Sequence, residues 1–123
     1  MGGKILVVDD DLEILRILQD ALRAAGHEVR VCDNGGCVEK ELKDFKPDLL
    51  LLDVMLPGID GYTLALKITE DPATRDLPIV VLSGLEPSEG MFQRFPQVAA
   101  FFTKPFNPKQ LLEAVSKALT PKA

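Results

Sequence analysis

Positive charge is in short supply: 14 lysines and arginines face 19 aspartates and glutamates, a formal net charge of -5 at pH 7. Nonspecific nucleic-acid binding relies on a basic face, so no nucleic-acid partner is expected. Histidine occurs once, at His27, and cysteine twice, at Cys32 and Cys37. A Cys/His metal centre needs more ligands than these, so none is expected around them. No apolar run approaches the roughly 20 residues of a membrane span, which argues against a membrane association. No basic leader precedes an apolar stretch, and Leu6 stands where an acylation motif opening on Met1-Gly2 requires Ser or Thr. Without a secretory signal the expected setting is the cytoplasm, with Cys32 and Cys37 as reduced thiols.

What the chain does contain is apolar mass: 46% of its 123 residues are hydrophobic, enough for the core of one domain spanning residues 1–123. Strand-like and helix-like stretches alternate. Leu15, Leu18, Leu22 and Ala25 recur at helical spacing, and Gly26 is a natural stop. Glu28 to Cys32 alternates, with Val29 and Val31 on one side and Arg30 on the other, as a more exposed strand does. Val38, Leu42 and Phe45 form a second helical stripe ended by Lys46-Pro47. A Pro57-Gly58 turn leads to a third helix from about Gly61 to Glu70, and Pro72 and Pro78 confine the following loop. Asn107 caps a last helix that opens on Pro108 and carries Leu111, Leu112, Val115 and Leu119 on one face. Between Gly84 and Pro96 a helix is due, but Pro87, Gly90 and Pro96 leave room only for a short or irregular one over Ser88 to Phe95. Five strands and about five helices in alternation predict an α/β fold: βαβ units with right-handed crossovers and a parallel sheet covered on both faces.

Four apolar runs end on groups that do chemistry. Ile5 to Val8 leads into Asp9 and Asp10, Leu49 to Leu52 into Asp53, Ile79 to Leu82 into Ser83, and Ala99 to Thr103 into Lys104. In open α/β sheets ligands bind beyond the carboxyl ends of the strands. Three carboxylates gathered there repel one another unless a cation offsets them. Mg2+ fits, because it takes oxygen ligands and keeps positions open for phosphate oxygens. An aspartate beside the metal can attack phosphorus, with a cation and a hydroxyl to meet the charge on the phosphoryl oxygens. Taken singly, such an aspartate is most often a turn former or cap, Ser83 a turn residue and Lys104 a solvated lysine. It is the joint arrangement that points to a phosphate-handling site.

Together Val7-Val8-Asp9-Asp10-Asp11, Asp53-Val54-Met55-Leu56-Pro57-Gly58-Ile59-Asp60-Gly61, Leu82-Ser83-Gly84 and Lys104-Pro105-Phe106 resemble the receiver domain of two-component response regulators, over nearly the whole chain. The resemblance implies a flavodoxin-like, doubly wound sheet in the order 2-1-3-4-5, and a phosphorylation-dependent switch rather than an enzyme with turnover. It implies Asp53 as phosphoacceptor, supplied by a phosphohistidine on a sensor histidine kinase or histidine phosphotransfer protein. Mg2+ would be held by Asp10, Asp53 and the Met55 backbone carbonyl, with Asp9 acting mostly through water. Lys104 would contact the phosphoryl group and the peptide into Pro105 would be cis, a minority form for X–Pro bonds. Ser83 and Phe101 take the switch positions; Phe101 has no hydroxyl, which leaves a change of rotamer rather than a tyrosine-type hydrogen bond. Met55 and Leu85 flank the path of an attacking water and are apolar, implying a long-lived phosphoryl state. The 85–96 segment departs from the family pattern, and Met91, Phe92 and Phe95 could form an apolar patch there for a protein target. The expected form is a stand-alone monomer or weak phosphorylation-dependent dimer without an output domain.

Two other readings use the same residues. An acid-cluster phosphohydrolase would share the nucleophile, Mg2+ and lysine, but Asp53-Val54-Met55 lacks a second acid two residues on to protonate a leaving group. A scaffold of the same fold that never uses its aspartate would have no need of the full set of acids, hydroxyl and lysine.

Overall fold

A computed structural model describes residues 2–53, 61–83, 98–103 and 106–119. The strands are β1 (Lys4–Val8), β2 (Glu28–Cys32), β3 (Leu49–Asp53), β4 (Ile79–Ser83) and β5 (Val98–Thr103). The described helices are α1 (Leu12–Ala24), α2 (Gly35–Asp44), α3 (Gly61–Glu70) and α4 (Pro108–Leu119). All neighbouring strands pair in parallel, in the order β2-β1-β3-β4-β5. This is the flavodoxin-like sheet expected from the sequence. The short helix expected over 88–95, the Pro57-Gly58 turn and the peptide into Pro105 lie outside the described residues.

Strand alternation sorts the core into two layers. Ile5, Val7, Leu49, Leu51, Val80 and Leu82 pack with Leu15, Leu18 and Leu22 of α1 and Leu111 and Val115 of α4. Leu6, Val8, Leu50, Leu52, Ile79 and Val81 face the other way, onto Val38 of α2 and Leu64, Ala65 and Ile68 of α3. Both faces are therefore covered, which is why the strands read as unbroken apolar runs rather than alternating ones.

Helix ends follow the side chains available to close them. The Asp11 carboxylate accepts the Glu13 and Ile14 N–H groups at 3.0 and 3.4 Å and caps α1. At the other end Gly26 takes φ +97, while the N–H groups of Gly26 and His27 donate to the carbonyls of Arg23 and Leu22. That paired arrangement is a Schellman stop, and it needs the left-handed residue glycine supplies. Asn107 Oδ1 accepts the Lys109 N–H at 2.9 Å, so the sequence-predicted cap of the last helix is in place.

One expectation is corrected. Cys32 and Cys37 are joined by a disulfide, with Cα atoms 5.8 Å apart, not reduced thiols. Cys32 ends β2 and Cys37 lies in the first turn of α2, a juxtaposition within bridging range that their spacing in sequence does not reveal. The more exposed strand expected over Glu28 to Cys32 is β2 at the sheet edge, with Val29 buried and Val31 36% exposed.

Leu51 is fully buried in the α1/α4 layer. Leu51→Ala is expected to lower unfolding free energy by roughly 2–5 kcal/mol, read from urea unfolding. His27 Nδ1 accepts the Gly3 N–H at 3.1 Å, and burial holds its imidazole below the ordinary value of 6.5. The unfolded chain therefore takes up this proton first, so the stability contributed is full above about 6.5 and is lost as pH falls below it. The urea midpoint should drop on going from pH 7 to below 6, and His27→Gln should flatten that part of the slope.

Candidate functional site

The chemistry collects where β1 and β3 end side by side. Val8 pairs with Leu52, so the residues that follow, Asp9 and Asp53, emerge from neighbouring strands at the same level. The Asp9 main chain is fixed by donation of its N–H to the Cys32 carbonyl at 3.1 Å. Its side chain is fixed by Oδ1, which accepts the Asp11 N–H at 2.9 Å. Three consecutive aspartates thus divide their tasks: Asp11 caps α1, Asp9 turns inward and Asp10 stays exposed.

Carboxylate oxygens of Asp9, Asp10 and Asp53 lie within 4.8 Å of one another. Asp9 is 0% and Asp53 2% exposed. Two ionised carboxylates at that separation repel by roughly 3 kcal/mol at an effective dielectric near 20. Burial removes the water that would otherwise ease this, and a cation is the natural complement. The donor set is all oxygen, with two buried carboxylates and one open to solvent. That composition fits Mg2+, which prefers a few carboxylates and retains waters, and does not suit zinc, which favours nitrogen and sulfur.

Of the other sequence-predicted groups, Ser83 ends β4 and pairs with Thr103 of β5, while Asp53 pairs with Leu82. The Ser83 backbone is thus one position beyond the partner of Asp53, on the adjacent strand. Phe101 pairs with Val81 and packs, half-buried, against the α2/α3 layer. Met55, Leu85 and Lys104 lie outside the described residues. A cavity of about 750 Å³ opens between α2 and α3, floored by Leu42, Leu64, Ile68 and Leu77; none of the three clustered acids lines it. The sequence reading gave no role to the Cys32 carbonyl, which holds Asp9. Its signal would have been the register of β1 against β2, a property of pairing rather than of either segment.

The comparisons agree with this geometry. The family model for the response regulator receiver domain matches residues 5–116. The phosphate regulon transcriptional regulatory protein PhoB of Pseudomonas aeruginosa is 36% identical over 97% of this chain and 52% of its own length. Response regulator PleD of Caulobacter vibrioides is 36% identical over 94% of this chain and 26% of its own length. The chain therefore spans about half of PhoB and about a quarter of PleD. Among solved structures, that of a candidate response regulator from Chloroflexus aurantiacus superposes with a TM-score of 0.89 at 35% identity, covering 97% of this chain and 98% of that one. With a parallel sheet in the order 2-1-3-4-5 and three acids meeting at its carboxyl edge, this chain belongs to the receiver domain family of two-component response regulators.

Proposed function

We propose that the protein is a phosphorylation-dependent switch that accepts a phosphoryl group on Asp53 from a phosphohistidine of a sensor histidine kinase or histidine phosphotransfer protein. The observation that carries this reading is the cluster of Asp9, Asp10 and Asp53, two of them buried, at the carboxyl edge of the sheet. A carboxylate oxygen of Asp53 forms the new bond to phosphorus as the P–N bond to the partner's imidazole breaks. The electron pair of that bond returns to the leaving nitrogen, which is protonated.

Asp9, Asp10, Asp53 and the Met55 carbonyl would hold Mg2+, which when bound offsets the carboxylates and the phosphoryl oxygens. Asp53 ends a fully buried strand, so its attacking oxygen is held by the sheet rather than by a loop, as near-attack positioning requires. Asp9 is pinned at both main chain and side chain. Lys104 supplies positive charge to the transferred group and Ser83 a hydroxyl. Phosphorylation draws Ser83 toward the new oxygens, and Phe101 exchanges its half-buried rotamer for a more buried one, biasing a two-state surface. The switch then acts on a downstream protein in the cytoplasm by contact, as a monomer or a weak phosphorylation-dependent dimer, without turnover of a substrate of its own.

Incubation with Mg2+ and acetyl phosphate should add one phosphoryl group at Asp53, located by mass spectrometry. Asp53→Asn or chelation of the metal should abolish it, and folded protein that stays unmodified with Mg2+ present would overturn the reading. Met55 and Leu85 hold the sequence positions that in the receiver family border the path of an attacking water, and both are apolar, so the phosphorylated form should persist well beyond seconds once the donor is removed. Its decay, followed by intact mass, should quicken when polar side chains replace those two, and loss within seconds in the wild type would refute the lifetime argument.

A further inference from the structure

The disulfide lies next to the acid cluster. Cys32 is the last residue of β2, its Cα pairs with that of Val8, and its carbonyl accepts the N–H of Asp9 at 3.1 Å. Cys37 stands in the first turn of α2, where the Asn34 side chain accepts its N–H at 3.1 Å. Between them run Asp33 and Asn34, which join β2 to α2, and then Gly35 and Gly36, which open the helix. The crosslink is thus what ties the end of an edge strand to the start of the next helix, one hydrogen bond from a predicted metal ligand.

The two sulfurs differ in access. Cys32 is 2% exposed and packs in the α2/α3 layer, whereas Cys37 is half-buried at the margin of that layer. A small thiol can therefore reach the Cys37 sulfur and not that of Cys32. Attack by its thiolate forms a mixed disulfide on Cys37 and releases Cys32, which takes up a proton. A second thiol then attacks the small-molecule sulfur of the mixed disulfide and releases Cys37. The products are two protein thiols and one small-molecule disulfide, and oxidation runs along the same steps in reverse.

We infer that Cys32 and Cys37 form a reversible redox-modification site, exchanged by thiols and disulfides of the glutathione class, whose state sets the Mg2+ affinity of the Asp9, Asp10 and Asp53 cluster. The inference rests on the Mg2+ reading of that cluster. The bonded form holds the Cys32 carbonyl, and through it the Asp9 main chain, in the ligating position. Opening the bond leaves only the Asp33-Asn34 join between β2 and α2 and lets the edge strand fray at that point, so the competent arrangement is populated for a smaller fraction of the time. Apparent affinity falls with that fraction. Groups that orient metal ligands change affinity by about 10–100-fold when removed; here the orienting hydrogen bond is loosened rather than deleted, so the reduced form should bind Mg2+ about threefold or more weakly.

The test uses the whole chain, equilibrated with oxidised or with reduced glutathione. Alkylation of the folded protein, counted by mass, reports the bond, and calorimetric titration with MgCl2 reports the affinity. The inference predicts no alkylated cysteines in the oxidised sample, alkylated cysteines in the reduced one, full interconversion, and tighter Mg2+ binding when oxidised. Cys37→Ser should hold the weaker affinity under both conditions. Thiols that stay unbonded in oxidised glutathione, a bond that survives the reduced form, or equal affinities in the two states would each overturn it. Equal Mg2+ binding leaves the proposed function standing, whereas absence of Mg2+ binding in both states removes that function together with this inference.

Discussion

Parallel pairing is the constraint on which the rest of the structure depends. Because β1, β3 and β4 run the same way, Asp9, Asp53 and Ser83 are delivered to one edge whatever their separation in sequence. An antiparallel arrangement of the same strands would send the acids to opposite ends, and the three-acid cluster would not form. Parallel pairing in turn requires crossover helices, and these bury the strands on both faces. The leucines and valines that make the sheet insoluble by itself are thus the reason the carboxylates converge.

Convergence has a cost that the core must tolerate. Asp9 and Asp53 are almost wholly buried with oxygens within 4.8 Å, an arrangement that opposes folding unless positive charge is near. The chain meets this with two apolar layers that do not depend on the acids, one against α1 and α4 and one against α2 and α3. Folding is secured elsewhere, so the strand ends are left to serve binding. Local rules are broken at the one place where chemistry is expected, as they are at functional sites generally.

Much of this was legible in the sequence because each element signals its own environment. Leu49 to Leu52 carries no polar residue, which only a strand covered on both faces explains, and Asn107-Pro108 marks a helix start through hydrogen-bonding and φ preferences that act locally. The acids were legible as a set because each directly follows such a run. What escaped was pairwise. That Asp9 is buried while Asp10 is exposed depends on the Asp11 N–H drawing the Asp9 carboxylate inward. The Cys32–Cys37 bond depends on the angle at which β2 feeds α2, and a reading based on compartment had no access to it.

These pairwise facts share a location. Asp9 is tied to its own turn through Asp11, to β2 through Cys32, and by β2 to α2 through the disulfide. Asp53, by contrast, ends β3, which lies between β1 and β4 in the middle of the sheet, and is itself paired with Leu82 of β4. The two buried acids are therefore secured to different degrees. The proposed acceptor has the rigid position, as attack on phosphorus would require, while the other acid depends on an edge strand and whatever steadies it. An edge strand is the part of a sheet that opens at least cost. Any influence that changes how firmly β2 is held will consequently be felt at Asp9 before it is felt at Asp53, the proposed nucleophile.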